Sequence, residues 1–563
     1  MSDYAVLLAD PARASPSGDQ VSRCGVRQAE GPMRITLFAS PGLAWIAGAK
    51  SLLIGRLFDR DSLAPVGDGA ALDRALGDGP GSFVRRYWGS YVLVAEVDGQ
   101  VSVLRDPSGG TPCHVGGGDR RNFLASSAGI AVALGLLKDA CVDQEFVAHW
   151  LRFPFLRSAR TGLIDVEEVM PGAILALGNA RAKDRQLWRP AAFTHPAPQD
   201  FNQAATELRR IAKACVPLAA GEGPLLAQLS GGLDSSILAA CLAAKGVPMR
   251  AVTFATSSPD GDERHYAEAL TRHLGIRLEV LKEAQPSCET FTAPSFRPAS
   301  NILLEGIDQA VEQYRQSIDA PIVVDGGGGD SLFGFSRTAA AVLDGLKDGH
   351  GWEALQSVAE RSETSLWQVF RVAVRQAMCR PSPWLDDRRF LGDTGLVERA
   401  DENPWLAEAS RLSPGKREHL LSLVHIQHFL DRHAIGGEHR HPLMIQPLLE
   451  YCLSVPSWMW NAGGRDRAVA RRAFEDSLPP IITARRTKGS LQGYFHRRFR
   501  ALKPILRELL LDGELAASGL IDRNAVETTL SLDDGPDDEI AMRLSEIATL
   551  ERWLMSWRRA GAR

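Results

Sequence analysis

The segment Leu225-Leu-Ala-Gln-Leu-Ser-Gly-Gly-Leu-Asp-Ser-Ser236 gathers the groups that hold a phosphate chain. Ser230, Ser235 and Ser236 offer hydroxyl donors, and Gly231 and Gly232 let backbone N–H groups approach an anion. The helix expected to follow turns its positive end toward the same point. Asp234 would repel a bare phosphate. Beside a metal ion it has a purpose, because Mg²⁺ prefers hard oxygen ligands and is usually held by one or two carboxylates together with phosphate oxygens. A lone Gly-Gly would read as an ordinary strand-to-helix turn capped by Asp234 or Ser235. The string lacks the lysine and the spacing of a Walker loop.

A second glycine-rich segment, Val323-Val-Asp-Gly-Gly-Gly-Gly-Asp-Ser-Leu-Phe-Gly334, follows another apolar strand. Four glycines alone say only that side chains are unwanted there. Asp330 adds a second carboxylate, and the sequence makes Asp234 and Asp330 the candidate metal ligands, with Gly326 and Gly328 as further nucleotide contacts.

These loops need a sheet to bring them together. Residues 225–229, 250–254, 278–281 and 321–325 read as buried strands, and residues 236–244 and 265–274 as helices between them, which predicts a parallel α/β sheet. Ligands of such sheets bind at the carboxyl ends of the strands. From about 335 to 560 the pattern is mostly helical, with amphipathic stretches at 416–432 and 539–557. Residues 1 to about 190 alternate in short strand-like runs such as 90–97, 101–105 and 173–177. A proline-rich connector at 189–200 divides the chain into two domains, 1–192 and 193–563.

The whole-chain numbers set limits. A length of 563 residues with 45% hydrophobic and 23% charged residues fits a multidomain globular protein. A net charge of -4 gives no overall attraction to nucleic acid or anionic lipid, so neither a nucleic-acid nor a membrane partner is expected. The eight cysteines are scattered without close pairs, and the start has no basic-then-apolar order, which together point to the cytoplasm.

The string Ser230–Ser236 resembles the SGGxDS pyrophosphate loop of N-type ATP pyrophosphatases, which split ATP between the α- and β-phosphates. With the glycine loop it resembles the asparagine synthetase and β-lactam synthetase superfamily. Asp262-Glu263 followed by Ala267 and Leu274-Gly275, Gly437-Glu-His-Arg-His-Pro-Leu443 and Arg485-Arg-Thr-Lys-Gly-Ser490 are similar to three further motifs of that superfamily. Arg105-Asp-Pro-Ser-Gly-Gly-Thr-Pro112 and Pro171-Gly172 resemble turns of its N-terminal glutaminase domain. The resemblance implies an Ntn-hydrolase-like α+β first domain and a parallel α/β ATP-pyrophosphatase domain with helical additions. It further implies ATP and Mg²⁺ as cofactors, adenine cradled near Leu229, Thr253 and Phe254, and Lys488 as the catalytic cation beside Asp234 and Asp330.

The chain also departs from that pattern. A glutaminase of the family places cysteine at the mature N-terminus, where this sequence has Ser2, and Arg56 stands where an acidic residue should hold the substrate ammonium. The expectation is a glutaminase-like domain without glutaminase activity, and a nucleophilic amine carried by the substrate itself. Gly327 occupies the position of a tyrosine or glutamate in relatives, and a glycine cannot move protons, which leaves the general base unassigned among other residues, phosphate and water. His425, His428, His433, His439 and His441 cluster in sequence, with surface or capping roles open for each. The GGGGDSLFG loop and the segment 442–450, with Ile445 in place of an aspartate, look most like the lasso peptide cyclases. That resemblance implies a precursor peptide as substrate, with a leader-peptide-binding protein and a cysteine protease as partners.

Overall fold

The computed structural model describes residues 3–8, 16–178, 184–195, 200–255, 262–282, 294–299, 301–378, 384, 386–393, 400–430, 438–486, 492–532 and 536–563. Ser2, His433, Gly437 and Lys488 lie outside the described residues.

The first unit is built of two six-stranded antiparallel sheets. One runs in the order Val166–Glu168, His114–Gly116, Phe123–Ala125, Tyr4–Leu8, Ile35–Ala39, Arg27–Glu30. The other runs Arg185–Gln186, Ala173–Ala176, Gln100–Arg105, Tyr87–Val97, Ser51–Asp59, Trp45–Ala47. Alternating residues make the two faces differ. Val6 and Leu37 of one sheet meet Leu52, Ile54, Val92 and Val94 of the other in a shared core, while Leu53, Leu57 and Leu93 point away from it. Helices cover both outer faces, giving a helix–sheet–sheet–helix layering. Every helix in this part is short, nine residues at most among the described residues.

The second unit begins with the helix Phe201–Ala220 and holds a five-stranded parallel sheet ordered Leu278–Leu281, Met249–Phe254, Leu225–Gln228, Ile322–Asp325, Glu438–Arg440. Four of its strands are those read from the sequence. The fifth, Glu438–Arg440, is three polar residues long and carries no apolar run to announce it. The chain leaves Leu225–Gln228 toward one side of the sheet and returns at Ile322–Asp325 on the other. The strand order therefore reverses between these two neighbours, and their carboxyl ends mark the kind of place where open α/β sheets take their ligands. The α/β expectation is borne out.

The two units share a core. The outward face of the strands Ser51–Asp59 and Tyr87–Val97 packs with residues of Phe201–Ala220 and Gln446–Ser454 in one continuous apolar cluster. On the opposite outer face, Ala5, Phe38 and Phe123 pack with the long C-terminal helices Gln492–Asp512 and Asp538–Arg559. Among the described residues no helix is long and apolar enough to cross a membrane.

Candidate active site

Leu229, just past the central strand Leu225–Gln228, is buried and donates its N–H to the Val252 carbonyl at 2.8 Å. The chain then turns through Ser230 and Gly231 and enters the helix Leu233–Ala244 with Gly232 as its N-cap. Gly231 has φ of 69°, and a Cβ there would stand 2.4 Å from Tyr266 Cβ, so no other residue fits this turn. Ser235 and Ser236 donate to the Gly232 carbonyl at 3.2 and 2.7 Å. Ser236 is fully buried and braces the turn from inside, whereas Ser230 is exposed at its rim. Thr253 and Phe254 end the neighbouring strand, the first buried and the second half-buried.

The glycine loop lies directly on this turn. A Cβ on Gly326 would sit 2.6 Å from the Ser235 nitrogen, and one on Gly329 would sit 2.5 Å from Asp234 Cβ. Gly328 takes φ of 82°, and its missing side chain makes room for Met444. This close approach carries Asp330, at the start of the one-turn helix Gly329–Leu332, to Asp234.

The two carboxylates meet at Arg467. Its Nη1 is 3.0 Å from Asp234 Oδ2 and 2.5 Å from Asp330 Oδ1, and its Nη2 is 2.7 Å from Asp466. Burial works against the charge of Arg467, but Asp234, Asp330 and Asp466 outweigh it and push the guanidinium above its ordinary range. Sequence reading missed this residue, because Arg467 stands in a basic stretch, Arg465-Asp-Arg-Ala-Val-Ala-Arg-Arg472, that looks like any solvated helix face. Two carboxylates converging on a single cationic nitrogen form an oxygen donor set that fits Mg²⁺.

The late motif also reaches the turn. Arg485, three residues before Lys488, lies over the Tyr266 ring at 3.9 Å and pairs with Glu263 at 2.5 Å. Its Nη1 is 3.5 Å from the Gly231 carbonyl. Glu263 and Tyr266 belong to the stretch that begins at Asp262-Glu263, which therefore buttresses the turn Ser230–Ser236 from the side. Asp262 instead pairs with Arg264 at 2.6 Å.

Other residues singled out from sequence fall elsewhere. Glu438 and Arg440 form an ion pair at 2.6 Å, and Arg440 donates on to the Ala220 carbonyl. Arg56 donates to the carbonyls of Leu218 and Ala219 at 3.2 and 2.8 Å. Both arginines thus close the C-terminal end of the helix Phe201–Ala220, where its carbonyls and dipole favour cations. Burial first, and the neighbouring Arg440 next, lower the Arg56 guanidinium to about 10. Arg56 is spent on joining the two units. His425 and His428 pack on Phe155, with ring centroids 5.0 and 5.1 Å away. Ile445 is buried and precedes the helix Gln446–Ser454.

A protein-family model described as asparagine synthase matches residues 208–555. A carboxyethyl-arginine beta-lactam-synthase of Streptomyces clavuligerus is 26% identical over 275 residues, which cover 44% of this chain and 50% of the relative. The chain spans about half the length of that curated relative. Among solved structures, glutamine phosphoribosylpyrophosphate amidotransferase from B. subtilis, complexed with ADP and GMP, aligns over 58% of this chain and 90% of its own, at 11% identity and a TM-score of 0.21. The U34-tRNA thiolase NcsA from Methanococcus maripaludis aligns over 42% of this chain and 85% of its own, at 10% identity and a TM-score of 0.21. Superposition at that level leaves the fold to rest on the sheets described above.

Proposed function

The chain belongs to the asparagine synthase family, and from that premise we propose that it is an ATP-dependent, AMP-forming amide-bond ligase that closes a macrolactam in a precursor peptide. One observation carries the nucleotide part of the reading. The phosphate turn Ser230–Ser236 and the carboxylates Asp234 and Asp330 converge at the carboxyl edge of a parallel sheet, at its switch point.

In this reading the exposed end of the turn receives the phosphates of ATP, with the N-terminal end of Leu233–Ala244 behind it. Mg²⁺ between Asp234 and Asp330 would neutralise the β- and γ-phosphates as they leave. A side-chain carboxylate oxygen of the peptide displaces pyrophosphate at the α-phosphorus. The peptide's own N-terminal amine then displaces AMP from the acyl carbon. Arg467, paired with both carboxylates, would add positive charge beside the leaving pyrophosphate, and Lys488, by resemblance, would stabilise charge that appears only as these bonds form and break.

Two features support a nucleophile carried by the substrate. Arg56 is committed to the end of the helix Phe201–Ala220, so the first unit offers no acidic group there to hold glutamine. Gly327 stands where relatives carry a tyrosine or glutamate, so this loop brings no proton-moving side chain of their kind, which suits an acceptor different from theirs. A leader-peptide-binding protein and a cysteine protease are the partners this reading expects. Closure of a small β-lactam-type ring is the second reading, favoured by the Streptomyces clavuligerus relative.

The test supplies a linear peptide with a free N-terminal amine and an internal Asp or Glu, and follows AMP, pyrophosphate and the loss of one water from the peptide mass. Replacing Lys488 by Ala should leave ATP binding intact and slow turnover about 10²- to 10³-fold, the usual value of one charge-stabilising donor. ADP as product would overturn adenylation. AMP with an unclosed peptide, together with closure of a small amino-acid substrate, would move the assignment to the second reading.

A further inference from the structure

The carboxyl ends of the strands Ile322–Asp325 and Glu438–Arg440 bring together three metal-ligating side chains that the nucleotide site does not use. Asp325 is buried and faces two imidazoles: His439 Nε2 is 3.0 Å from its Oδ2, and His441 Nδ1 is 2.7 Å from its Oδ1. One ligand atom from each of the three lies within 4.8 Å of the others.

The surroundings hold these groups in place. The Gly327 N–H donates to Asp325 Oδ1 at 2.7 Å, and the Leu430 carbonyl lies 2.9 Å from His441 Nε2. Gly327 makes the arrangement possible, since a Cβ there would stand 2.7 Å from Asp325 Oδ1 and 2.8 Å from His441 Nδ1.

Proton counting then narrows the choices. A carbonyl oxygen only accepts, so His441 Nε2 must carry a hydrogen to bond Leu430. Were the ring neutral, Nδ1 would aim a lone pair at a carboxylate oxygen, which is repulsive unless a cation lies between them. A proton on Nδ1 or a metal ion shared by the three side chains resolves this. The supporting bonds are of the kind that metal ligands use. An imidazole whose far N–H rests on a backbone carbonyl, beside a carboxylate oriented by a backbone N–H, is the way proteins fix the tautomer and aim of metal ligands.

We propose that Asp325, His439 and His441 bind a divalent transition ion of the zinc class, with at least one position left for water or a substrate donor. Two imidazoles and one carboxylate suit Zn²⁺ and its neighbours, whereas Mg²⁺ prefers the all-oxygen pair Asp234 and Asp330. The site shares the sheet edge with the phosphate turn but differs from it in chemistry, and it stands apart from the choice of peptide or small-ring substrate.

The test is a titration of the full-length chain, freed of metal by a chelator and then desalted, with ZnCl₂ followed by calorimetry at millimolar Mg²⁺. Wild type should bind one equivalent of Zn²⁺. The variants His439→Gln and His441→Gln should each weaken that binding by more than the roughly 100-fold that loss of a mere supporting hydrogen bond costs. Asp234→Asn and Asp330→Asn should bind Zn²⁺ as wild type does. Near-normal binding by both histidine variants, or no uptake by wild type at micromolar Zn²⁺, overturns the proposal. Because a histidine variant may fold poorly, wild type is also loaded with Co²⁺. Visible ligand-field absorption displaced by stoichiometric Zn²⁺ is expected, and its absence overturns the site without any variant.

Discussion

At Arg467 one guanidinium nitrogen serves two carboxylates from different loops, and each partner depends on it. Asp234 and Asp330 are close enough to share Nη1, so removing the arginine takes away a cation that screens two half-buried like charges, at a cost below the roughly 3 to 5 kcal/mol of a fully buried pair that loses one member. An added divalent cation can take over that role. The expected outcome for Arg467→Gln is a lower melting temperature than wild type in EDTA, and a larger rise on adding Mg²⁺ than wild type shows. Equal Mg²⁺ shifts in the two proteins would mean that the two carboxylates do not form one cation site. Asp234 and Asp330 were legible in the sequence because an aspartate among phosphate donors is chemically odd. Arg467 was not, since its meaning comes from carboxylates 233 and 137 residues away. Asp325, His439 and His441 were hidden for the same reason: the ladder that joins their strands pairs Val323 with His439, and nothing local in either stretch demands it.

Elements were read better than their junctions. The strands and helices around the phosphate turn carry the apolar runs that predict them, and their observed ends fall within three residues of the expected ones, as at Leu233–Ala244 against 236–244. How helices meet is another matter, and Lys416 shows why. It lies in the first turn of the helix Pro414–Leu430, fully buried, and donates to the carbonyls of Leu453 and Val455 at the end of Gln446–Ser454. Asp344 accepts from the N–H groups of Gly415 and Lys416, both at 3.1 Å, and fastens the same corner. Burial lowers the Lys416 amine to about 7, against the opposing pull of Asp344 and Asp348. The sign follows from proton counting: between about 7 and its ordinary 10.5 the unfolded chain binds a proton that the folded chain does not. Stability therefore rises with pH across this window and falls as pH drops toward 7, by up to about 1.4 kcal/mol per pH unit. Replacing Lys416 by Met removes this slope. Melting temperatures of the two proteins measured from pH 7 to pH 9 should move apart in favour of wild type as pH rises, and parallel curves would show that the amine stays charged in the fold.

Across the whole molecule the question is what the first unit does if it feeds no ammonia to the second. Its sheets lie under the helices of the synthetase unit, and one buried carboxylate ties the two together. Glu168 pairs with Arg105 at 2.6 Å, Arg157 at 2.5 Å and Arg297 at 3.1 Å, all four side chains buried. Arg157 donates further to the Gln427 carbonyl at 3.0 Å, and Arg297 to the carbonyls of Ser158 and Arg160. Arg297 and Gln427 belong to the second unit, so the turn at Arg105, the segment around Ser158 and the helix Pro414–Leu430 are fixed by a single anion. Burial would raise the Glu168 carboxyl, but Arg157, Arg297 and Arg105 overcome it and hold it well below the usual carboxylate range. Its contribution is thus complete above the ordinary carboxylate range and is lost only as pH falls through that depressed value. Glu168→Gln keeps the shape, removes the charge and leaves three buried guanidinium groups without their anion. A loss of about 3 to 5 kcal/mol is expected, read as a lower urea midpoint at neutral pH for loss of both the first unit's structure and ATP binding. The coupling is the decisive part. If the first unit is a scaffold on which the synthetase unit is built, both signals fall together in the variant. An early loss of tryptophan fluorescence from the first unit, with ATP binding persisting to the wild-type midpoint, would show that the second unit stands without it.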